Sequence, residues 1–256
     1  MRISIIITTY NRPDALSLVL MGLSRQTCDN FEVLIADDGS TASTAEVVAQ
    51  AWPFPLKHVW QEDDGFRAGQ IRNRAVKLAR GEYLVFLDGD CVPGPKFVEQ
   101  HYQLAEPGWF VAGNRVLLNP QFTAEVLQHP QRLLQLSAVG WLRARWQGSV
   151  NRILPLLPLP MLNRKGKANE WRGVKTCNLG MWRSDFDAVH GFDEAYVGWG
   201  YEDSDLVVRL LNDGIKRKQG RFLTVVLHLW HPENTRENTA ENWQRLLTTQ
   251  QQCDQT

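Results

Sequence analysis

Cysteine is scarce in this chain, with four residues among 256 and no two of them spaced as a CxxC pair. Disulfide frameworks and zinc ribbons both need closely spaced cysteines, so we expect neither. Dispersed, reduced thiols are usual in a reducing compartment. We therefore expect a cytoplasmic protein in which Cys28, Cys91, Cys177 and Cys253 are free.

An excess of either charge is lacking as well, because Lys plus Arg and Asp plus Glu both number 28. Proteins that bind nucleic acid generally carry a basic excess, so we expect no nucleic-acid partner. The chain also lacks an uninterrupted apolar run of ~18 residues, the length that a transmembrane helix requires. The apolar stretch Ile3–Ile7 is too short for a secretory leader. We expect neither a leader nor a membrane-spanning helix.

Three common enzyme motifs are absent too: the Gly-x-Gly-x-x-Gly dinucleotide loop, the Walker loop and the serine-hydrolase elbow. What the chain does contain is an alternation of β-branched strands and amphipathic helices. This alternation predicts an α/β fold with a mostly parallel sheet and right-handed crossovers. The predicted strands are 3–8, 31–36, 56–60, 83–87, 110–118 and 224–229, and the predicted helices include 43–51, 68–80, 202–212 and 241–252, with one more that begins near residue 13.

Polar residues follow three of the predicted strands, at the sheet edge where ligands bind in such folds. These residues are Thr8 and Tyr10 after the first strand, Asp37 and Asp38 after the second, and Asp88 and Asp90 after the fourth. Two carboxylates on either side of a glycine can face one divalent cation, and oxygen ligands suit Mn²⁺ or Mg²⁺. Either His228 or His231, which follow the last strand, can complete the site with Asp90.

The segment from Trp199 to Asp205 places aromatic and acidic residues at the start of a predicted helix. Acidic residues in a first turn are commonly explained by the helix dipole alone. Here Trp199 and Tyr201 can also form the floor of a sugar pocket, beside which a carboxylate can accept a hydroxyl proton. Arg67 and Arg72 are candidates for contacting a phosphate, as arginine side chains often do.

Residues 120–172 differ from the rest, with eight Lys or Arg against two Glu, three tryptophans and a proline-interrupted leucine run. Dense prolines forbid one continuous helix, so we predict a helical insertion followed by an irregular apolar loop. Basic and apolar residues together favour contact with an anionic membrane surface. The alternative is a helical cap whose leucines pack on the sheet.

In this order the clusters resemble family 2 glycosyltransferases of the GT-A fold. The C-terminal part is similar to β-1,4-galactosyltransferases and chondroitin polymerase. The residues that carry the resemblance lie at 4–12, 36–40, 72–73, 88–90, 191–194 and 199–203, so it covers about residues 3–118 and 173–232. Ser204 departs from the galactosyltransferase pattern, in which a further Asp is usual.

The resemblance implies a role for each matching residue. Uridine is held by Thr8, Tyr10 and Asp38, together with Asp37, and the donor is a UDP-sugar beside Trp199. Arg72 faces the diphosphate, while Asp88, Asp90 and His228, with His231 in reserve, bind Mn²⁺ or Mg²⁺. Asp203 is the catalytic base and Glu202 orients sugar hydroxyls.

The resemblance further implies an inverting transfer to a glycan or lipid-linked glycan, in the synthesis of cell-envelope polysaccharide or lipopolysaccharide. The enzyme is then expected in the cytoplasm, peripheral on the inner face of the inner membrane. We divide its single GT-A domain into a nucleotide-sugar-binding half at 1–118, an insertion at 119–172, and an acceptor-binding and catalytic half at 173–256. Two alternatives remain open, a sugar-nucleotide nucleotidyltransferase and a non-catalytic sugar-binding module.

Overall fold

The computed structural model describes residues 1–157, 159–232 and 238–253. Pro158 of the predicted apolar loop, residues 233–237 and 254–256 of the predicted C-terminal half, and the side chains of Gln252 and Cys253 lie outside the described residues. Ten strands are described: β1 (Ile3–Thr9), β2 (Phe31–Asp37), β3 (Leu56–Trp60), β4 (Tyr83–Asp88), β5 (Cys91–Pro93), β6 (Trp109–Ala112), β7 (Asn114–Leu117), β8 (Asn178–Trp182), β9 (Lys216–Gln219) and β10 (Val225–His228).

Ten α-helices accompany the strands in the described part of the chain. They are α1 (Pro13–Leu23), α2 (Ala42–Val48), α3 (Ala68–Leu78), α4 (Phe97–Leu104), α5 (Pro120–Gln128), α6 (Pro130–Leu134), α7 (Ala138–Trp146), α8 (Arg183–Ala188), α9 (Glu202–Asn212) and α10 (Thr239–Cys253). A single 3₁₀ turn covers Leu154–Leu156. None of these helices has both the length and the apolar character needed to span a bilayer.

Seven strands form the central sheet, in the order β3-β2-β1-β4-β8-β6-β9. All neighbouring pairs are parallel except those of β8, which runs antiparallel to β4 and β6. The predicted fold class, a mostly parallel sheet flanked by helices, is therefore confirmed. Because helices cover both faces, the isoleucines of β1 are buried on both sides: Ile5 and Ile7 pack on the side of α1, and Ile6 packs on the side of α3 and α9.

A second sheet of three strands, in the order β5-β10-β7, lies beyond the end of β4. In it β10 pairs antiparallel with β5, so that His228 stands opposite Cys91. The prediction of one strand over 110–118 is wrong, since that segment divides at Gly113 between the two sheets. A Cβ atom at Gly113 would lie only 2.2–2.3 Å from the side chain of Asn178, which donates to the carbonyl of Asn114. The glycine thus allows Asn178 to join the sheets at this point.

The insertion is helical, as predicted, and it is attached beside the second sheet. Leu118, which precedes the insertion, and Val150, which follows its last α-helix, form an isolated antiparallel bridge. The Leu118 amide also donates to the carbonyl of His228 at 2.9 Å, and the Trp230 amide donates to the Thr123 hydroxyl at 2.9 Å. The insertion is therefore fixed next to the two predicted metal-binding histidines.

Candidate active site

Three parallel strands bring the predicted polar clusters to one edge of the central sheet. The pairing register aligns Thr8 of β1 with Asp88 of β4, and Thr9 with Asp37 of β2. Immediately beyond β4, the Gly89 amide donates to the carbonyl of Thr8 at 2.7 Å. The turn that carries Asp88 and Asp90 therefore folds back against β1.

Arg72 projects from α3 into this edge and connects three separate segments. Its guanidinium donates to the Thr8 hydroxyl at 2.8 Å, to Asp88 Oδ1 at 3.2 Å and to Glu202 Oε1 at 3.4 Å. The side chain is only 4% exposed, and a buried cation needs such partners to offset its lost hydration. The guanidinium carbon also lies 5.3 Å from the centre of the Phe192 ring. Arg72 is thus held rigidly where a diphosphate would enter.

Asp88 lies where acidic groups crowd together. Burial and the charge of Asp90, against the opposing effect of Arg72, raise the pKa of Asp88 to about 6. A divalent cation at this point would remove the cost of holding two carboxylates close together.

Asp90 lies near two histidines, His228 at the end of β10 and His231 three residues later. Its Oδ1 is 3.8 Å from His228 Nε2 and its Oδ2 is 3.3 Å from His231 Nε2. Burial lowers the pKa of His228, which keeps the imidazole neutral and its lone pair available to a metal. One carboxylate and two imidazoles select Mn²⁺ or Mg²⁺ less strongly than a site made of oxygen ligands alone. They fit a divalent cation whose remaining ligands are the oxygens of a diphosphate.

Cys91 adds a thiol that sequence reasoning did not assign to the site. Donor atoms of Asp90, Cys91 and His228 all lie within 4.8 Å of one another. The thiol is fully buried and lies 3.4 Å from Asp90 Oδ1. Its position follows from the pairing of β5 with β10, which no local sequence pattern indicates.

Glu202 and Asp203 begin α9 on the opposite side of Arg72 from β1. Tyr201, which caps the helix, has a φ of 71°, a left-handed conformation that is uncommon outside glycine. Gly200 before it has a φ of 117°, so the chain turns sharply into the helix. Burial and the charge of Asp203 raise the pKa of Glu202. The turn therefore presents two adjacent carboxylates, of which Glu202 contacts Arg72.

Asp203 is the predicted base, and its side chain is 8% exposed. Its Oδ2 lies 3.4 Å from Lys175 Nζ, an ammonium group that is 46% exposed. Sequence reasoning missed Lys175 because it lies in a segment without a motif, 28 residues before Asp203. Asp205, in the same acidic run, turns away and accepts hydrogen bonds from Arg209 and Tyr196. It therefore stabilises the helix instead of facing the site.

The other end of the edge carries the residues expected to hold uridine. Tyr10 is half-exposed, and its hydroxyl donates to Asp63 at 2.8 Å. Asp38 accepts from the Arg67 amide at 2.8 Å, and burial raises its pKa. Asp37 is also buried, accepts from the Ser40 amide at 2.8 Å and lies 2.8 Å from His58 Nε2. The expectation that Asp37 joins Asp38 in holding a nucleoside stays a prediction.

Two further side chains complete the surroundings. Trp199 precedes the turn into α9 and is 39% exposed, as a residue that contacts a sugar must be. Arg115, in β7, lies 3.8 Å from the Cys177 thiol and adds positive charge near Asp88. Sequence reasoning did not assign Arg115, although a single charged residue in the otherwise uncharged segment 110–118 was a usable signal.

Two family models match the chain. The model for glycosyl transferase family 2 matches residues 4–154, and the model described as the N-terminal domain of galactosyltransferase matches residues 161–232. Among curated proteins, the chain is 31% identical over 255 residues to validoxylamine A glucosyltransferase from Streptomyces hygroscopicus, which covers 93% of this chain and 57% of that protein. It is 27% identical to chondroitin synthase from Escherichia coli, covering 83% of this chain and 32% of that protein. The chain thus spans little more than half the length of the first of these relatives.

Solved structures share the fold. TarS from S. aureus, in complex with UDP-GlcNAc, has a TM-score of 0.61 at 15% identity, covering 100% of this chain and 70% of that chain. The mannosyltransferase PcManGT from Pyrobaculum calidifontis, in complex with GDP-Man and Mn²⁺, has a TM-score of 0.61 at 18% identity, covering 97% of this chain and 62% of that one. At such identities the likeness establishes the architecture alone.

Proposed function

Because the chain belongs to glycosyl transferase family 2, we propose that it transfers one sugar from a UDP-sugar to an acceptor hydroxyl, with inversion at the anomeric carbon. The observation that carries the proposal is the position of Arg72. This one cation contacts the strand-end carboxylate Asp88 and the helix-start carboxylate Glu202, and so brings the predicted donor and acceptor sides together.

The comparisons support a nucleotide-sugar donor. One relative is named as a glucosyltransferase and another as a chondroitin synthase. Among proteins of this fold, one structure contains UDP-GlcNAc and another contains GDP-Man with Mn²⁺. We favour UDP because the C-terminal match is to a galactosyltransferase domain.

In the proposed reaction Asp203 accepts the proton of the acceptor hydroxyl. The freed oxygen attacks the anomeric carbon as the bond from that carbon to the UDP oxygen breaks on the opposite face, so a single displacement inverts the configuration. Arg72 stabilises the negative charge that develops on the departing UDP. Asp88, Asp90, His228 and His231 would hold the divalent cation, which supplies further positive charge to the diphosphate when bound. Glu202 orients sugar hydroxyls.

The proposed acceptor is a hydroxyl of a glycan or lipid-linked glycan, in cell-envelope polysaccharide or lipopolysaccharide synthesis. A chondroitin synthase and a hyaluronan synthase among the relatives support a glycan acceptor. A lipid-linked acceptor would bring the enzyme to the cytoplasmic face of a membrane.

The experiment is to incubate the protein with a panel of UDP-sugars, Mn²⁺ and mixed glycan acceptors and to measure released UDP. Sustained UDP release, with a product of inverted anomeric configuration by proton NMR, supports the proposal. Formation of UTP from pyrophosphate and the UDP-sugar would show a nucleotidyltransferase instead. Binding of sugar without turnover would show a sugar-binding module. A nucleotidyltransferase would also need a glycine-rich loop after β1, where this chain has Asn11-Arg12-Pro13 and the start of α1.

A further inference from the structure

One face of α7 leaves large apolar side chains in contact with solvent. Val139 is 74% exposed, Leu142 is 60% exposed and Trp146 is 87% exposed. With Arg143 they fall on an arc of about 100° of the helix, at about 100° per residue. The opposite side of the helix packs inward through buried Ala144. We call these four residues, Val139, Leu142, Arg143 and Trp146, the α7 face.

The α7 face and its flank are basic. Arg143 and Arg145 stand in the last turn of the helix, and α7 itself contains no acidic residue. Neither arginine makes an ion pair with any residue that the structure describes. The insertion's two acids are engaged elsewhere, Glu125 with Arg132 and Glu170 with Arg172.

The second basic stretch of the insertion, residues 164–172, is engaged in contacts with the rest of the protein. Lys165 pairs with Glu106 at 2.6 Å and lies 4.4 Å from the centre of the Trp109 ring. Arg164 donates to the carbonyls of Gln219 and Arg221. These contacts tie residues 164–172 to β6 and β9. Leu154, Leu157, Leu159 and Leu162 of the apolar loop are also exposed, but α7 combines exposed apolar side chains with two arginines that make no ion pair among the described residues.

We propose that the α7 face docks the protein on an anionic lipid surface. Exposed tryptophan and leucine enter the interfacial region of a bilayer, while arginine remains at the level of the anionic head groups. A second copy of the chain is a poorer occupant, because a symmetric dimer through this face would bring the arginines of two α7 helices to one interface, and α7 has no acidic residue to pair with them.

The docking surface is connected to the candidate active site through the backbone. α7 ends four residues before Val150, which bridges Leu118, and the Leu118 amide donates to the carbonyl of His228. A surface bound at α7 would therefore lie beside the predicted metal ligands. The inference rests on the proposed function in one respect, since a lipid-linked acceptor explains why docking is placed there.

The test is co-sedimentation of the whole chain with phosphatidylglycerol-containing vesicles and with pure phosphatidylcholine vesicles. We expect binding to the anionic vesicles at low salt, weakened at about 0.5 M NaCl because charges are screened. Changing Leu142→Ser together with Trp146→Ser should lower the partition coefficient about tenfold or more. Arg143→Gln with Arg145→Gln should lower it similarly on anionic vesicles and leave phosphatidylcholine unaffected.

Matched controls lie on other helices. Tyr102→Ser removes a half-exposed aromatic side chain from α4, and Arg74→Gln with Lys77→Gln removes two exposed cations from α3. Neither should change the partition coefficient. The proposal is overturned if the chain does not sediment with anionic vesicles at low salt, or if the α7 variants bind as the controls do. It is also overturned if light scattering shows a dimer that the α7 variants dissociate. UDP release is measured without vesicles, so each of these failures is separate from a failure of the proposed function.

Discussion

Asp203 is the residue on which the proposed chemistry depends. Asparagine preserves its shape but cannot accept a proton, so Asp203→Asn should lower kcat by ~10²-fold or more. The affinity for UDP, measured by calorimetry, should stay the same. If UDP affinity falls while kcat is preserved, Asp203 belongs to the donor site and the assigned role is wrong.

In the proposed reaction Lys175 would position Asp203, because its ammonium is paired with that carboxylate. Arg72 is already shared by Asp88 and Glu202, so Lys175→Met would leave Asp203 without a counter-charge among neighbouring acids. We expect kcat to fall about tenfold, because the carboxylate is no longer held in position for the acceptor hydroxyl. UDP affinity and the unfolding temperature should not change.

Lys175→Arg keeps the charge and should restore most of the lost kcat. Lys165→Met removes an ammonium of similar exposure from the insertion and serves as the control. An unchanged kcat in Lys175→Met, or a loss that Lys175→Arg does not restore, would contradict the positioning role.

His101 gives the fold a pH dependence that is separate from the active site. Burial lowers its pKa to about 4, and its ring packs edge-on against Phe97. Below pH ~6.5 His101 binds a proton in the unfolded chain but stays neutral in the folded chain. The contribution of His101 to the free energy of unfolding is therefore fully present above this pH and is lost as the pH falls toward about 4. The loss should total roughly 3 kcal/mol.

Urea unfolding at several pH values measures this effect as the difference between the wild type and His101→Gln. Asp88, whose pKa is raised, acts in the opposite direction, but it is present in both proteins and cancels. The wild type should lose stability more steeply than the variant between pH 6.5 and 4. If the free energies of unfolding of the wild type and His101→Gln change in parallel with pH, His101 takes up its proton in the folded state as well, and the account of its burial is wrong.

At the scale of elements, the junction between the two sheets depends on Gly113. A methyl group there would overlap the Asn178 side chain, which also donates to the carbonyls of Asn114 and Thr224. Gly113→Ala should therefore lower the free energy of unfolding by roughly 2 kcal/mol or more. Gly94→Ala, at a glycine with open space around it, is the matched control for chemical denaturation. Equal stabilities of the two variants would contradict the account of the junction.

The sequence predicted those strands and helices that are marked by a pattern within their own residues. β1, β2, β4 and α9 were found because apolar runs or a 3.6-residue period mark them, and polar residues at their ends marked Asp88 and Asp203. The division of 109–117 between two sheets was missed because it depends on contact with Asn178, 65 residues later. Cys91 and Lys175 were missed for the same reason: long-range strand pairing and folding bring them to the site.

At the scale of the whole molecule, the insertion has features of both structures that its sequence left open, a helical cap on the sheet and a surface that contacts a membrane. Val126 and Leu133 pack into the core, as a cap requires, while Val139, Leu142 and Trp146 face solvent, as a docking surface requires. Composition alone could not assign each apolar residue to one side, because the helices that carry them are short and are interrupted by Pro130. The fold class was predictable as a whole, whereas the roles of the site residues remain predictions.

The central claim is that this site transfers sugar with the help of a divalent cation held at Asp90. The most direct test is UDP release from the UDP-sugar panel by wild type with Mn²⁺, by wild type in EDTA, and by Asp90→Ala with Mn²⁺. Removing an oxygen ligand or the cation leaves the diphosphate charge uncompensated, so we expect release only in the first case. Full activity in EDTA, or in Asp90→Ala, would contradict the account.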